Sequence, residues 1–257
     1  SGNIGVEVAE ALELKGCETT IIEMQKRILP RLFDPYPAGL IQKLLEAHGI
    51  RVMTGEQVLE VTGKEEVQGV VTASGAIACD AVIWAAGAKP NIDLALAAGL
   101  LIGERGAIKV DSHMRSSVPD IYACGDCVEV RDLLSGQPTQ SMLWSSAKFQ
   151  AQVAARNIMG QTVDYPGALN LMVEELYGVP CLAAGIREEE LPDGGAVMEL
   201  NEKGAYGRII LQDGRIAGLQ TVGTLDACGA VIALMKKRTG VDEIMRMLAN
   251  PYLREKD

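Results

Sequence analysis

The stretch SGNIGVEVAEALELKGCETTIIEM, residues 1–24, decides how this chain is read. Gly2 and Gly5 stand at the start of a helical pattern. Apolar residues follow at Ile4, Val8, Ala11, Leu12 and Leu14, with Glu7, Glu10 and Glu13 between them. That pattern predicts a helix over 3–15 with a mostly charged outer face, and Gly16 stops it. The run ETTIIEM is β-branched, as a buried parallel strand should be. Glycine turn, helix and strand in this order are a β-α-β unit entered after its first strand.

Such a turn has a chemical use. Glycines ahead of a helix let backbone N–H groups approach a pyrophosphate at the positive end of the helix dipole. The G-x-G-x-x-G fingerprint also places an acid about twenty positions on, to hold a ribose 2′-hydroxyl. Glu23 stands there. Its charge repels a 2′-phosphate, which favours NAD(H) over NADP(H). A helix start with a small-residue packing face is the competing reading; the joint spacing of Gly2, Gly5 and Glu23 favours the nucleotide. The first glycine of the fingerprint and its preceding strand are missing.

The bulk of the sequence sets bounds. The 257 residues are 48% hydrophobic, enough for more than one globular domain. A formal net charge of −10 disfavours nucleic acid and anionic membranes as partners. No apolar run reaches the ~18 residues that span a bilayer, and no signal peptide is visible. Six cysteines are scattered through the chain, a pattern of reduced thiols in a cytoplasmic compartment.

Further along, PAGLIQKLLEAHGI reads as a helix ended by Gly49, and RVMTG as a strand. QVLEVTG, VQGVVTASG and AIACDAVIWAAG read as an antiparallel meander that returns to the sheet. A second segment runs from AKPNIDLALAAGL to about Gly160. It contains GAIKVDSHMRSSVPDIYACGDCVEV, a loop marked by SGQPT, and a helix MLWSSAKFQAQVAARNIMG. From about Gln161 the character changes. Asp213-Gly214 joins two strands in a strong hairpin signal, and helices are predicted over 225–237 and 241–248. That is an α+β region with an antiparallel sheet.

PDIYACGDC reads as a buried strand ending in Gly125-Asp126. Gly125 lets the backbone pass close to a ligand, and Asp126 can accept hydrogen bonds from sugar hydroxyls; a strand followed by an Asx turn is the alternative. Cys124 and Cys127 form a C-x-x-C that could be a dithiol, half a zinc site or chance. No second cysteine pair or histidine pair completes a zinc site, and the cysteines flank a strand end in place of a helix N-terminus. His48 is expected at the surface and His113 in a polar stretch, and neither has a nucleophile motif beside it. Hydride chemistry by bound cofactors fits better, because there the protein supplies position and not an acid–base pair.

Taken together, these blocks resemble the C-terminal two-thirds of an FAD-dependent pyridine nucleotide-disulfide oxidoreductase. SGNIGVEVAEAL is similar to the NAD fingerprint and its helix, and CETTIIEMQKRILP to the strand with the ribose-binding acid. CDAVIWAAGAKPN resembles the crossing from the NAD domain back to the FAD domain. GAIKVDSHMRSSVPDIYACGDC resembles the FAD-contacting block, and SSAKFQAQVAARNIMG the helix after it. The resemblance implies an α/β fold. It comprises a Rossmann-like NAD(H) domain lacking its first strand (1–86), the C-terminal part of an FAD domain (87–162), and an α+β interface domain (163–257) that makes a homodimer. It implies FAD and NAD(H) as cofactors. Gly2, Asn3, Ile4, Gly5 and Glu23 would hold NAD(H), with Glu7 near the nicotinamide and flavin. Gly125, Asp126 and the helix N-terminus at Trp144 would serve the FAD side, with Asp126 on the ribityl chain, and Gly87 would also be cofactor-binding.

The resemblance further implies hydride transfer from NADH to FAD, with electrons passed on to a disulfide, oxygen or a carrier protein. The redox cysteine would lie upstream of Ser1, so no catalytic residue is assigned here, nor any metal. No histidine follows His113, which sets the chain apart from the glutathione-reductase and lipoamide-dehydrogenase branch. It points to NADH oxidase or coenzyme A-disulfide reductase types, or to reductases with a redox partner protein. The chain is expected to be a fragment, inactive alone, that binds FAD poorly, in a sheet lacking its central strand. An FAD/NAD-binding subunit or assembly module of a multi-subunit oxidoreductase is the alternative; a flavin-free NAD-dependent dehydrogenase is disfavoured by IYACGDC.

Overall fold

A computed structural model describes residues 1–192, 195–202 and 204–243. The chain divides into two compact units. One combines Ser1–Gly87 with Met172–Ile232 and the described residues from Gly240; the other combines Ala88–Leu171 with Ala233–Thr239.

In the first unit, α1 (Asn3–Glu13) starts at Gly2 and ends before Gly16, whose φ of +83° suits glycine. β1 (Thr20–Glu23) leads to α2 (Pro35–Ala47), which opens on proline, where the missing N–H has no helical partner to lose. β2 (Arg51–Thr54) pairs in parallel with β1, Glu23 opposite Thr54. β3 (Val58–Thr62), β4 (Gly69–Thr72) and β5 (Gly75–Ala78) then form a separate antiparallel sheet in that order. The predicted meander is present, but its last strand stops at Ala78 and does not return to the parallel sheet. Residues 79–87 form no strand. A strand persists only where a neighbour takes its backbone hydrogen bonds, and after the Cys79 N–H donates to the Gln68 carbonyl at 3.2 Å the described residues show no further ladder for this segment. Ile83 and Trp84 are accordingly 56% and 65% exposed.

The second unit contains α3 (Asp93–Ala97), β6 (Ile108–Lys109), β7 (Val128–Arg131), β8 (Pro138–Thr139) and α4 (Trp144–Ile158). β7 is central, parallel to β6 and antiparallel to β8. Its valines pack with Leu100, Met114, Val153 and Tyr165. The strand expected over PDIYAC is not formed: Tyr122 makes one isolated bridge to Arg115, and residues 121–125 are half-buried. The ladder forms after the glycine, at Val128, because Gly125, at φ +90°, turns the chain there.

The chain then returns to the first unit as β9 (Leu171–Leu176), β10 (Val179–Gly185), β11 (Ala196–Glu202), β12 (Ala205–Gln212) and β13 (Arg215–Val222), a five-stranded sheet of order β11-β12-β13-β10-β9. Asp213 and Gly214 both have positive φ, as the primed hairpin turn requires. α5 (Cys228–Lys237) follows, three residues later than the predicted start at 225. The helix predicted over 241–248 lies outside the described residues beyond 243.

One core joins the ends of the first unit: Ile28, Phe33, Ile41 and Leu45 pack with Leu176, Tyr206 and Val222. This packing corrects the expected orientation of α1. Val6 and Ala9 are its buried residues, whereas Ile4 and Leu14 are 64% and 67% exposed. Its glutamates are not an outer face. Tyr177, in the β9–β10 turn, donates its backbone N–H to Glu10 at 2.6 Å and its hydroxyl to Glu13 at 2.8 Å. The helical period predicts which residues share a face but not which partner that face meets.

Candidate functional site

The turn at Gly2 and the end of β1 meet through Glu23. Its carboxylate is nearly buried and accepts hydrogen bonds from the Ser1 hydroxyl at 3.0 Å and from the Gln25 N–H at 2.7 Å. An ionised carboxylate offers about four acceptor positions, so among the described residues these two side-chain and backbone donors leave room for a further hydroxyl.

The two glycines differ. A Cβ on Gly5 would meet the Ala85 side chain at 3.3 Å, so this position serves close packing of α1 on residues 79–87. Gly2 has open space around it, and its carbonyl takes the N–H of Val6 as α1 begins. No side chain caps α1 and no acid lies in its first turn. Asn3 is half-buried and Ile4 exposed at this end. Glu7 lies against Glu174 of β9. Burial first, then the hydrogen bond to Glu7 and the charges of Glu7 and Glu10, push the Glu174 carboxyl up to about 7.

In the second unit, Gly125 donates its N–H to Gln150 Oε1 at 2.7 Å. Gln150 is fully buried and donates in turn to Ser146 Oγ at 3.1 Å, which pairs with the Tyr165 hydroxyl at 2.9 Å. This relay fixes Gly125 against α4 and leaves Asp126 exposed to solvent. The N-terminus of α4 carries no side-chain cap, and Trp144 there is 78% exposed. Gly87 is exposed at φ +98° and ends the first unit's opening stretch.

Cys127 Sγ lies 3.5 Å from the Cys124 carbonyl, and all six cysteines are free thiols. Burial, then the charge of Cys127, pushes the Cys124 thiol up, away from a reactive thiolate. Among the described residues no group of three His, Cys, Asp or Glu is placed to hold a metal ion. Nor is any helix among them long and apolar enough to cross a membrane.

Sequence reasoning missed Gln150, Glu174 and the pair Arg27–Glu189 at 2.9 Å. One signal was available for Gln150: it shares a helical face with Val153, Ala154 and Asn157, so a polar side chain was due to be buried there. The other two are long-range pairings that local pattern does not encode.

The family described as pyridine nucleotide-disulphide oxidoreductase matches residues 1–151. The chain belongs to this family. Among curated relatives, the chain is 33% identical over 264 residues to an NADH oxidase of Methanocaldococcus jannaschii, covering 96% of this chain and 59% of that one. It is 37% identical over 189 residues to a CoA-dependent NAD(P)H sulfur oxidoreductase of Pyrococcus abyssi, covering 74% and 42%. A solved FAD-dependent pyridine nucleotide-disulphide oxidoreductase from Desulfovibrio vulgaris superposes with a TM-score of 0.87 at 30% identity, over 95% of this chain and 64% of that one. An NAD-dependent persulfide reductase from A. fulgidus gives the same TM-score and identity, over 95% and 49%. The chain thus spans about half the length of the relatives it matches. Within the pyridine nucleotide-disulphide oxidoreductases, the matched region contains the Gly2–Glu23 turn and the Gly125–Asp126 block, but not the five-stranded sheet.

Proposed function

We propose that this chain is the nucleotide-binding and interface portion of an NADH-dependent FAD flavoprotein. The observation that carries this reading is the junction of the uncapped start of α1 with the nearly buried carboxylate of Glu23, through the Ser1 hydroxyl. Gly2, Asn3, Ile4 and Gly5 would present backbone N–H groups to the NAD(H) pyrophosphate, and Glu23 would accept the adenosine ribose hydroxyl. Glu7 would lie toward the nicotinamide end. Gly125 and Asp126, with the start of α4 at Trp144 and with Gly87, would hold the FAD side, Asp126 accepting from ribityl hydroxyls. When bound, the two cofactors supply hydride acceptance and donation; the chain's own residues orient them.

The domain reading is 1–86 for NAD(H), 87–162 for FAD, and 163–257 for a homodimer interface. The relatives act as NADH oxidases and CoA-dependent sulfur reductases by name. On that basis the whole protein would pass electrons to oxygen, a disulfide or persulfide, or a carrier protein, in the cytoplasm. A titration of NADH fluorescence tests the nucleotide site. The wild-type chain should bind NADH, and Glu23→Ala should weaken binding about tenfold, the effect of losing a charge-assisted hydrogen bond. Equal affinity of the two proteins would overturn the assignment of Glu23.

A further inference from the structure

A Rossmann-type site admits NADPH when an arginine near the ribose acid receives the 2′-phosphate. This sequence carries both signals: Glu23, then Lys26 and Arg27 in EMQKR. The structure separates them. Arg27 turns to the loop that follows, donating Nε to the Phe33 carbonyl at 3.1 Å and Nη2 to the Pro30 carbonyl at 3.2 Å. Its Nη2 also meets Glu189 Oε1 at 2.9 Å, from a residue 162 positions later. Glu189 lies in the short turn Glu188–Glu190 after β10, and that turn is itself fastened. Arg187 Nη1 donates to the Pro30 carbonyl at 2.6 Å and Arg187 Nε to Glu190 at 3.1 Å, while the Glu188 N–H donates to buried Asp34 at 3.0 Å. A guanidinium is a rigid planar fork, so one committed to two carbonyls and a carboxylate is not free for a phosphate.

We propose that Glu189 is a specificity-determining residue: by holding Arg27 in the 30–33 turn, it keeps that guanidinium from a 2′-phosphate beside Glu23 and so selects NADH against NADPH. The proposal rests on the nucleotide site assigned above. It differs from the effect of the acid itself, because it predicts a change in selectivity from a residue that touches no part of the nucleotide.

The test is titration of the 257-residue chain with NADH and with NADPH at fixed ionic strength. Glu189 is about half-exposed, so its substitution leaves the core intact. Glu189 Oε1 also meets Arg187 Nη1, but Arg187 keeps its bonds to the Pro30 carbonyl and Glu190, so Glu189→Gln should leave the NADH dissociation constant unchanged and tighten NADPH about two- to fivefold, the range expected from releasing Arg27 from an exposed ion pair. Glu189→Asp should keep the wild-type ratio. Adding Arg27→Ala to Glu189→Gln should return the ratio to the wild-type value, which a merely structural role for Glu189 would not do. Equal loosening of both nucleotides by Glu189→Gln, or a ratio that Arg27→Ala does not reverse, overturns the lock while leaving the site in place. A wild-type chain that binds neither nucleotide overturns the site, and the lock with it.

Discussion

Glu174 shows how far a single residue departs from its sequence label. In sequence it is one acid among the 34 Asp and Glu of an acidic chain. In the fold it lies against Glu7, and burial and that neighbour push its carboxyl up to about 7. A carboxyl raised in the folded state holds its proton where the unfolded chain has lost it. Stability from this group is therefore full below about pH 4.5, declines as pH rises toward 7, and stays low above it. Glu174→Gln, which removes the titration, should raise the melting temperature at pH 8 and change it little at pH 4.5. A shift of the same size at both values would show that Glu174 is ionised throughout. Gln150 makes the converse point: helical spacing carried a signal of its burial, yet the reading of the sequence missed it. Gln150→Leu strands the Gly125 N–H, and in thermal unfolding it should cost about 1–3 kcal/mol.

At the scale of elements, α2 is fixed to the five-stranded sheet by a buried charge cluster. Asp34 stands at the N-cap position of α2, where its side chain makes no capping bond, and is fully buried. Its Oδ2 accepts from Arg208 Nη1 at 2.9 Å and Gln220 Nε2 at 2.8 Å, and Gln220 Oε1 takes the Asp34 N–H at 2.9 Å. Arg208 also meets Glu188 at 2.9 Å and Glu199 at 2.6 Å. Removing one partner of such a group leaves a buried charge unmatched, so Asp34→Ala should lose about 3–5 kcal/mol in urea unfolding, and Asp34→Asn less. The order of these elements was largely readable beforehand. The 3.6-residue period gave α2 and α4, β-branched runs gave β1, and Asp213-Gly214 gave the β12–β13 hairpin. Local pattern does not name a strand's partner, so the expected strands over 79–87 and 121–124 failed where no ladder exists. Asp34 and Arg208 lie 174 positions apart, and nothing in either neighbourhood announces the other.

At the scale of the molecule, the compact units do not follow chain order. Ser1–Gly87 shares its core with Met172–Ile232, while Ala88–Leu171 has a core of its own around Val128, Val130 and Val153. Composition shifts mark where a chain changes character, but not which distant segments bury each other's apolar faces. Two separate cores predict two cooperative unfolding steps. Hydrogen exchange followed along a denaturant series should show β1, α2 and β10–β13 losing protection together, although they are far apart in sequence. β7 and α4 should lose theirs at a different midpoint. Asp34→Ala should lower only the first midpoint and Gln150→Leu only the second. If either substitution moved both midpoints equally, the two cores would be one cooperative system. Glu23, in the first unit, would then depend for its order on the second unit as much as on the Asp34 cluster.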